Sequence, residues 1–173
     1  MERIDRLLEH SLFIQCLQQN EMWERHRPFC HHDLAHLIDV ARIAYAMALE
    51  QENYTEFSQS LGHLNQEKTK EVIYGAALLH DMGKWKQYEE GIDHAIIGAE
   101  ICSDVLTECG FSTLEIDTIA EAIRCHRHKG KKISRTFLGR ILALADYHSR
   151  LCFRCSAKGD CNWPERKQGK LVY

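Results

Sequence analysis

Apolar side chains recur along this chain at intervals of three and four residues, and no run alternates with a period of two, so helices are expected and strands are not. Residues 2–20 carry Ile4, Leu7, Leu8, Leu12, Phe13 and Leu17 on one face, predicting a first helix that His26-Arg27-Pro28-Phe29 breaks. A second helix is expected over 33–50, with Asp33 as a side chain able to cap it. Its stripe is Leu37, Val40, Ala41, Ala44 and Met47. The polar segment 51–68 reads as a loop or weak helix, and a third helix covers 69–82, ending at Gly83. Segment 85–93 reads as a polar loop, and a fourth helix over 94–108 is stopped by Gly110. Ser112 or Thr113 opens a fifth helix reaching about His126, and a sixth spans 134–151. The pattern therefore predicts an all-α bundle of about six helices as a single domain over 1–151. An irregular, Cys-rich C-terminal tail, 152–173, is packed on it or appended to it.

Composition adds exclusions. A length of 173 residues suffices to bury a core without covalent staples. A formal net charge of −3 argues against a general nucleic-acid binder or a membrane-surface protein. No apolar run approaches the roughly 20 residues needed to cross a bilayer. The start, Met1-Glu2-Arg3-Ile4-Asp5, lacks an apolar signal core, so a cytoplasmic location is expected. The two prolines suit a helical chain. Eleven histidines are many for this length, and His is the commonest metal ligand. The eight cysteines then read as reduced thiols or metal ligands.

The candidate chemistry lies where polar residues interrupt apolar helical runs. His80-Asp81 closes Ala76-Ala77-Leu78-Leu79, and Asp146 closes Ile141-Leu142-Ala143-Leu144-Ala145. A buried carboxylate is costly without a cation or hydrogen-bond partner. Two such acids at the ends of core helices, with imidazoles available, suggest a metal. Taken singly, each residue also fits a capping or hydrogen-bonded structural role; the spaced combination carries the signal.

That combination resembles the HD-domain superfamily. The segments are His36-Leu37-Ile38-Asp39-Val40-Ala41, then Ala76-Ala77-Leu78-Leu79-His80-Asp81-Met82-Gly83-Lys84, then Leu144-Ala145-Asp146. The resemblance covers roughly residues 31–150 and implies that His36, His80, Asp81 and Asp146 bind a divalent metal. It also implies that His94 and His126 bind a second one, with Asp81 bridging, since a carboxylate has two oxygens to offer. His128 is a further candidate, but Arg127 stands where relatives often carry a second His directly after the first. His31 and His32 fit capping or solvent-facing roles as readily and stay outside the ligand set. The implied cofactor is one or two divalent transition ions, with Fe, Mn, Co, Ni and Zn equally compatible.

The chemistry implied is phosphate-ester hydrolysis by a hydroxide that the metal activates, with Asp81 and Lys84 as catalytic residues. A basic loop, Arg127-His128-Lys129-Gly130-Lys131-Lys132, suits a small anionic phosphorylated substrate such as a nucleotide. The Gly-Tyr-Pro motif of cyclic-dinucleotide phosphodiesterases does not follow His126. Two alternatives share the residues: a di-iron oxygenase resembling myo-inositol oxygenase, and a non-catalytic ligand-sensing HD module. In the tail, Cys152, Cys155 and Cys161 have metal-knuckle spacing for a structural Zn or an iron–sulfur cluster. Cys30 or His148 could complete the set, and three reduced thiols are the alternative. Cys16, Cys102, Cys109 and Cys125 sit in helical stretches as small core residues.

Overall fold

The first apolar stripe folds as two helices, α1 (Glu2–Glu9) and α2 (Ser11–Glu24), where the pattern predicts one. His10 separates them. Its extended backbone ends the first hydrogen-bond ladder, and its Nδ1 accepts from the Leu12 N–H at 3.2 Å to cap the second. Hydrophobic periodicity runs through such a break because both helices bury the same side.

The computed structural model describes residues 1–127, 136–161 and 171–173. Within these follow α3 (Leu34–Leu49), α4 (Tyr54–Ser60), α5 (Gln66–Leu79), α6 (Lys84–Glu90), α7 (His94–Cys109), α8 (Thr113–Cys125) and α9 (Phe137–His148). Two 3₁₀ turns, Cys152–Arg154 and Ser156–Gly159, begin the tail, and no strand occurs among the described residues. No helix there is long and apolar enough to cross a membrane. The all-α class is as expected, with nine helices among the described residues where about six were counted.

The additional helices have local causes. In the polar segment 51–68, α4 forms around Phe57, which stacks on Phe137 with ring centroids 4.5 Å apart. The expected loop over 85–93 contains α6, which starts at Gly83 and ends at Gly91, left-handed with φ 75°. Its sequence is too polar to show a stripe, yet it packs between α2 and α7. The expected start of the last helix at Ser134 and the residues His128, Lys129, Gly130, Lys131 and Lys132 lie outside the described residues.

Caps fix the remaining boundaries. Asp33 Oδ1 accepts from the His36 N–H at 2.9 Å, and Ser112 and Glu115 form a reciprocal capping box at the start of α8. Helix α3 packs on α5 and α9, α7 on α8, and α8 on both α5 and α9. Fully buried Ala41, Ala44 and Ala48 of α3, Ala76 and Ala77 of α5 and Ala145 of α9 keep these side chains short. Phe13, Leu37, Ile73, Leu79, Leu106 and Ile123 fill the space between.

An ionic cluster ties α1 to this core. Arg3 Nε lies 2.6 Å from Glu71 Oε2, and its Nη1 lies 2.8 Å from Glu115 Oε1. His63 closes the cluster, with Nε2 2.9 Å from Glu115 Oε1 and Nδ1 2.9 Å from Thr69 Oγ1. Burial opposes ionisation of Glu115, but the Ser112 N–H and the Arg3 guanidinium outweigh it and lower its pKa below the ordinary 4.5. The stability this contributes is fully present above the unfolded value and is lost as pH falls through the folded one. Arg3→Ala removes the guanidinium shared by two buried carboxylates and is expected to cost about 3–5 kcal/mol at pH 7, read by urea unfolding. The gap between wild type and variant should shrink below pH 4.5; a gap independent of pH would refute the assignment.

Candidate metal centre

Six of the residues singled out in the sequence come together where five helices end. His36 lies in the first turn of α3, His80 and Asp81 directly follow α5, and His94 opens α7. His126 follows α8, and Asp146 sits in the last turn of α9. The donor atoms of His36, His80 and Asp146 lie within 4.8 Å of one another, as do those of His80, Asp81 and His126. Asp81 stands between two groups. Its Oδ2 lies 3.0 Å from His80 Nε2 and 3.6 Å from His36 Nε2, while its Oδ1 lies 3.1 Å from His94 Nε2. His36 Nε2 is also 3.4 Å from Asp146 Oδ1.

Each imidazole is held through its other nitrogen. His80 Nδ1 donates to the Ala77 carbonyl and His126 Nδ1 to the Ile123 carbonyl, both at 2.6 Å. His94 Nδ1 donates to Gln87 Oε1 at 2.5 Å. Ser149 Oγ gives its proton to the Asp146 carbonyl at 2.9 Å and so accepts from His36 Nδ1 at 3.3 Å. These acceptors fix one tautomer, and in it every Nε2 presents a bare lone pair to the centre. His94 Nε2 and His126 Nε2 face each other at 3.3 Å, an arrangement that calls for a cation between them. His36 Nε2 and His80 Nε2 are buried with no hydrogen-bond partner among the described residues. The donor set therefore fits divalent transition ions.

Electrostatics keeps His36, His94 and His126 in binding form. Burial pulls the His36 pKa down to about 4 and that of His126 to about 3, so both are neutral near pH 7. Burial lowers His94 as well. It works against the charged form of His80 too, but the adjacent Asp81 carboxylate outweighs it and raises that pKa. Burial opposes ionisation of Asp81, yet His80, His32 and the Lys84 ammonium hold it well below the carboxylate range. Lys84 Nζ is 3.4 Å from His94 Nδ1, and burial lowers its pKa against the pull of Asp81. The lysine opens α6 beside the centre.

A second layer was not legible. Asn20 Nδ2 donates to the Asp81 carbonyl at 3.0 Å, and its Oδ1 accepts from the Trp85 N–H at 2.8 Å, clamping the turn that carries Asp81. Glu24, on the same face of α2, accepts from His32 Nδ1, from the His32 N–H at 2.7 Å and from the Tyr88 hydroxyl at 2.6 Å. Burial raises the Glu24 pKa, but these donors outweigh it and bring it to about 2. His32, left outside the ligand set, thus has its Nε2 directed at Asp81 Oδ2, 3.9 Å away. His31 turns elsewhere, to the Arg27 carbonyl at 2.9 Å. Arg127 pairs with Asp93 at 2.7 Å and ties the start of α7 to the end of α8.

The tail cysteines form no donor group among the described residues. Among the described residues the donor groups are the two named above, and neither includes Cys152, Cys155, Cys161, Cys30 or His148. A knuckle needs the chain to reverse around its ion; here a 3₁₀ turn between Cys155 and Cys161 carries it onward.

A bundle whose helix ends gather histidines and aspartates around one buried carboxylate defines the class, and comparison agrees. The HD domain family model matches residues 33–151, and the chain belongs to that family. An uncharacterized protein of Clostridium beijerinckii is 37% identical over 173 residues, covering 100% of this chain and 99% of that one. A bifunctional uridylyltransferase/uridylyl-removing enzyme of Mycobacterium tuberculosis is 40% identical over 50 residues, 29% of this chain and 6% of that protein. The crystal structure of a predicted HD superfamily hydrolase from an uncultured Thermotogales bacterium superposes with a TM-score of 0.54 at 26% identity. That match covers 82% of this chain but only 64% of the other.

The approach of α7 to the His80-Asp81 turn depends on Gly83. A Cβ there would lie 2.6 Å from the His94 carbonyl oxygen and 2.8 Å from Ile97 Cβ. Gly83→Ala is expected to cost about 1–3 kcal/mol through this overlap. Asn20→Ala, which removes one donor to the Asp81 carbonyl and the acceptor of the Trp85 N–H, should cost a similar ~1–3 kcal/mol. Thermal and urea unfolding check both, and wild-type stability in either variant would contradict the packing described.

Proposed function

We propose that the chain is a metal-dependent phosphohydrolase acting on a small phosphate ester, with a nucleotide as the favoured kind. The observation that carries this reading is the convergence of four imidazole Nε2 atoms and two carboxylates on one buried point. His36, His80, Asp146 and Asp81 Oδ2 would hold one divalent ion, and His94, His126 and Asp81 Oδ1 a second. Ions bound there supply Lewis acidity toward a phosphoryl oxygen and lower the pKa of a water.

The chain's own groups do the rest. Lys84 offers an ammonium beside the centre, positioned to take a phosphoryl oxygen and to balance charge that develops on it. Asp146, whose side chain is 23% exposed, is the most open of the six residues and marks the side of substrate entry. The other five are buried, which excludes bulk water and strengthens each electrostatic contact. Membership in the HD family and likeness to a predicted HD superfamily hydrolase support hydrolysis as the reaction class.

Elemental analysis of the purified protein tests the reading first. One or two equivalents of transition metal are expected, largely lost in Asp81→Ala. A panel of phosphate monoesters, diesters and nucleotides should then reveal hydrolysis, and Lys84→Met should reduce kcat about 10²–10³-fold. Metal retained in full by Asp81→Ala contradicts the site. Inactivity with every ester alongside O₂ uptake contradicts the reaction.

A further inference from the structure

The two halves of the centre differ in charge. His36 and His80 stand beside two carboxylates, Asp81 Oδ2 at 3.6 and 3.0 Å and, for His36, Asp146 Oδ1 at 3.4 Å. His94 and His126 share the other oxygen of Asp81, 3.1 Å from His94 Nε2; Asp93 Oδ1 lies 3.8 Å from His94 Nδ1, the ring nitrogen turned away from the centre. Cations crowd this second half. Lys84 Nζ approaches His94 Nδ1 to 3.4 Å, and it makes no ion pair with a carboxylate among the described residues. Arg127 follows His126 in the chain and is balanced by Asp93 at 2.7 Å, itself the cap of α7.

We propose that the halves bind divalent ions unequally: the His36–His80–Asp146 half holds its ion unaided, and the His94–His126 half takes its ion together with an oxyanion that neutralises Lys84. This rests on the phosphohydrolase reading and adds an order of assembly to it. In a poorly hydrated interior, like charges a few ångströms apart repel strongly, so an ion beside Lys84 is disfavoured until an anion sits between them. The shared Asp81 carboxylate is also less able to attract a second ion once its other oxygen serves the first. An oxyanion touching both the ion and the ammonium reverses the balance. By linkage, the ion then tightens the anion by the same factor that the anion tightens the ion. The centre would therefore be completed by its substrate, and the resting protein would hold one ion.

The test is equilibrium dialysis of Mn²⁺ against the metal-stripped full chain, with and without inorganic phosphate. One tight equivalent and one weak equivalent are expected without phosphate. Saturating phosphate should tighten the weak one at least about tenfold. Lys84→Met should tighten the second ion without phosphate and shrink the phosphate effect. Arg127→Gln, farther from the helix core, should move it in the same direction by less and serves if the first variant does not fold. Two equal equivalents without phosphate overturn the inference alone, as does a second equivalent that ignores phosphate. Retention of no ion overturns both the inference and the phosphohydrolase reading beneath it.

Discussion

The Asp81 carboxylate is a buried anion whose two oxygens face different sets of imidazoles, and the positions of five helix ends follow from that placement. An isolated carboxylate at this depth would be prohibitive, so the surrounding chain must deliver positive charge or neutral donors to it. It delivers histidines, each from a different helix terminus apart from His80, and orients each by a hydrogen bond to its Nδ1. That requirement explains why α5 must end where it does, with Gly83 letting α7 approach the turn. It also explains the buried alanines of α3 and α5. Side chains are kept short so that the ends of these helices can meet at one point rather than splay.

The sequence shows the ligands more clearly than their supports. His80, Asp81 and Asp146 betray themselves as polar residues closing apolar runs, a signal that survives because helix periodicity is otherwise so regular. The second layer lacks that contrast. Asn20 and Glu24 continue the buried face of α2 begun by Phe13 and Cys16, and an i, i+4 pair of polar residues on that stripe was the available clue. Ending the first helix at residue 20 hides it. Tyr88 and Gln87 were invisible for a different reason: α6 is seven residues of mostly polar character, and its helicity comes from packing between α2 and α7. The break at His10 likewise leaves no trace in hydrophobicity, because a residue that caps one helix while ending another keeps both stripes in phase. The Cys spacing in the tail specifies residue types but not chain reversal, which spacing alone does not set.

Helices α5 and α8 carry a second polar cluster at their opposite ends, and it supplies an internal control. Glu71 and His80 are nine residues apart on one helix and its cap, about 13 Å along the axis. Near Glu71, a histidine, two carboxylates and a cation are buried together, much as near His80. The difference is closure. His63 spends both ring nitrogens on Thr69 and Glu115, and Arg3 satisfies both glutamates. A cation from the chain itself completes that cluster, so it serves to hold α1 in place. At the other end no protein group among the described residues donates to the lone pairs of His36, His80, His94 and His126, and two of those nitrogens are buried there without a hydrogen-bond partner. Buried histidines and acids alone therefore do not distinguish a structural cluster from a functional one. What distinguishes them is whether the protein closes the cluster itself, and at the Asp81 end the described residues leave the imidazole lone pairs to be met from outside.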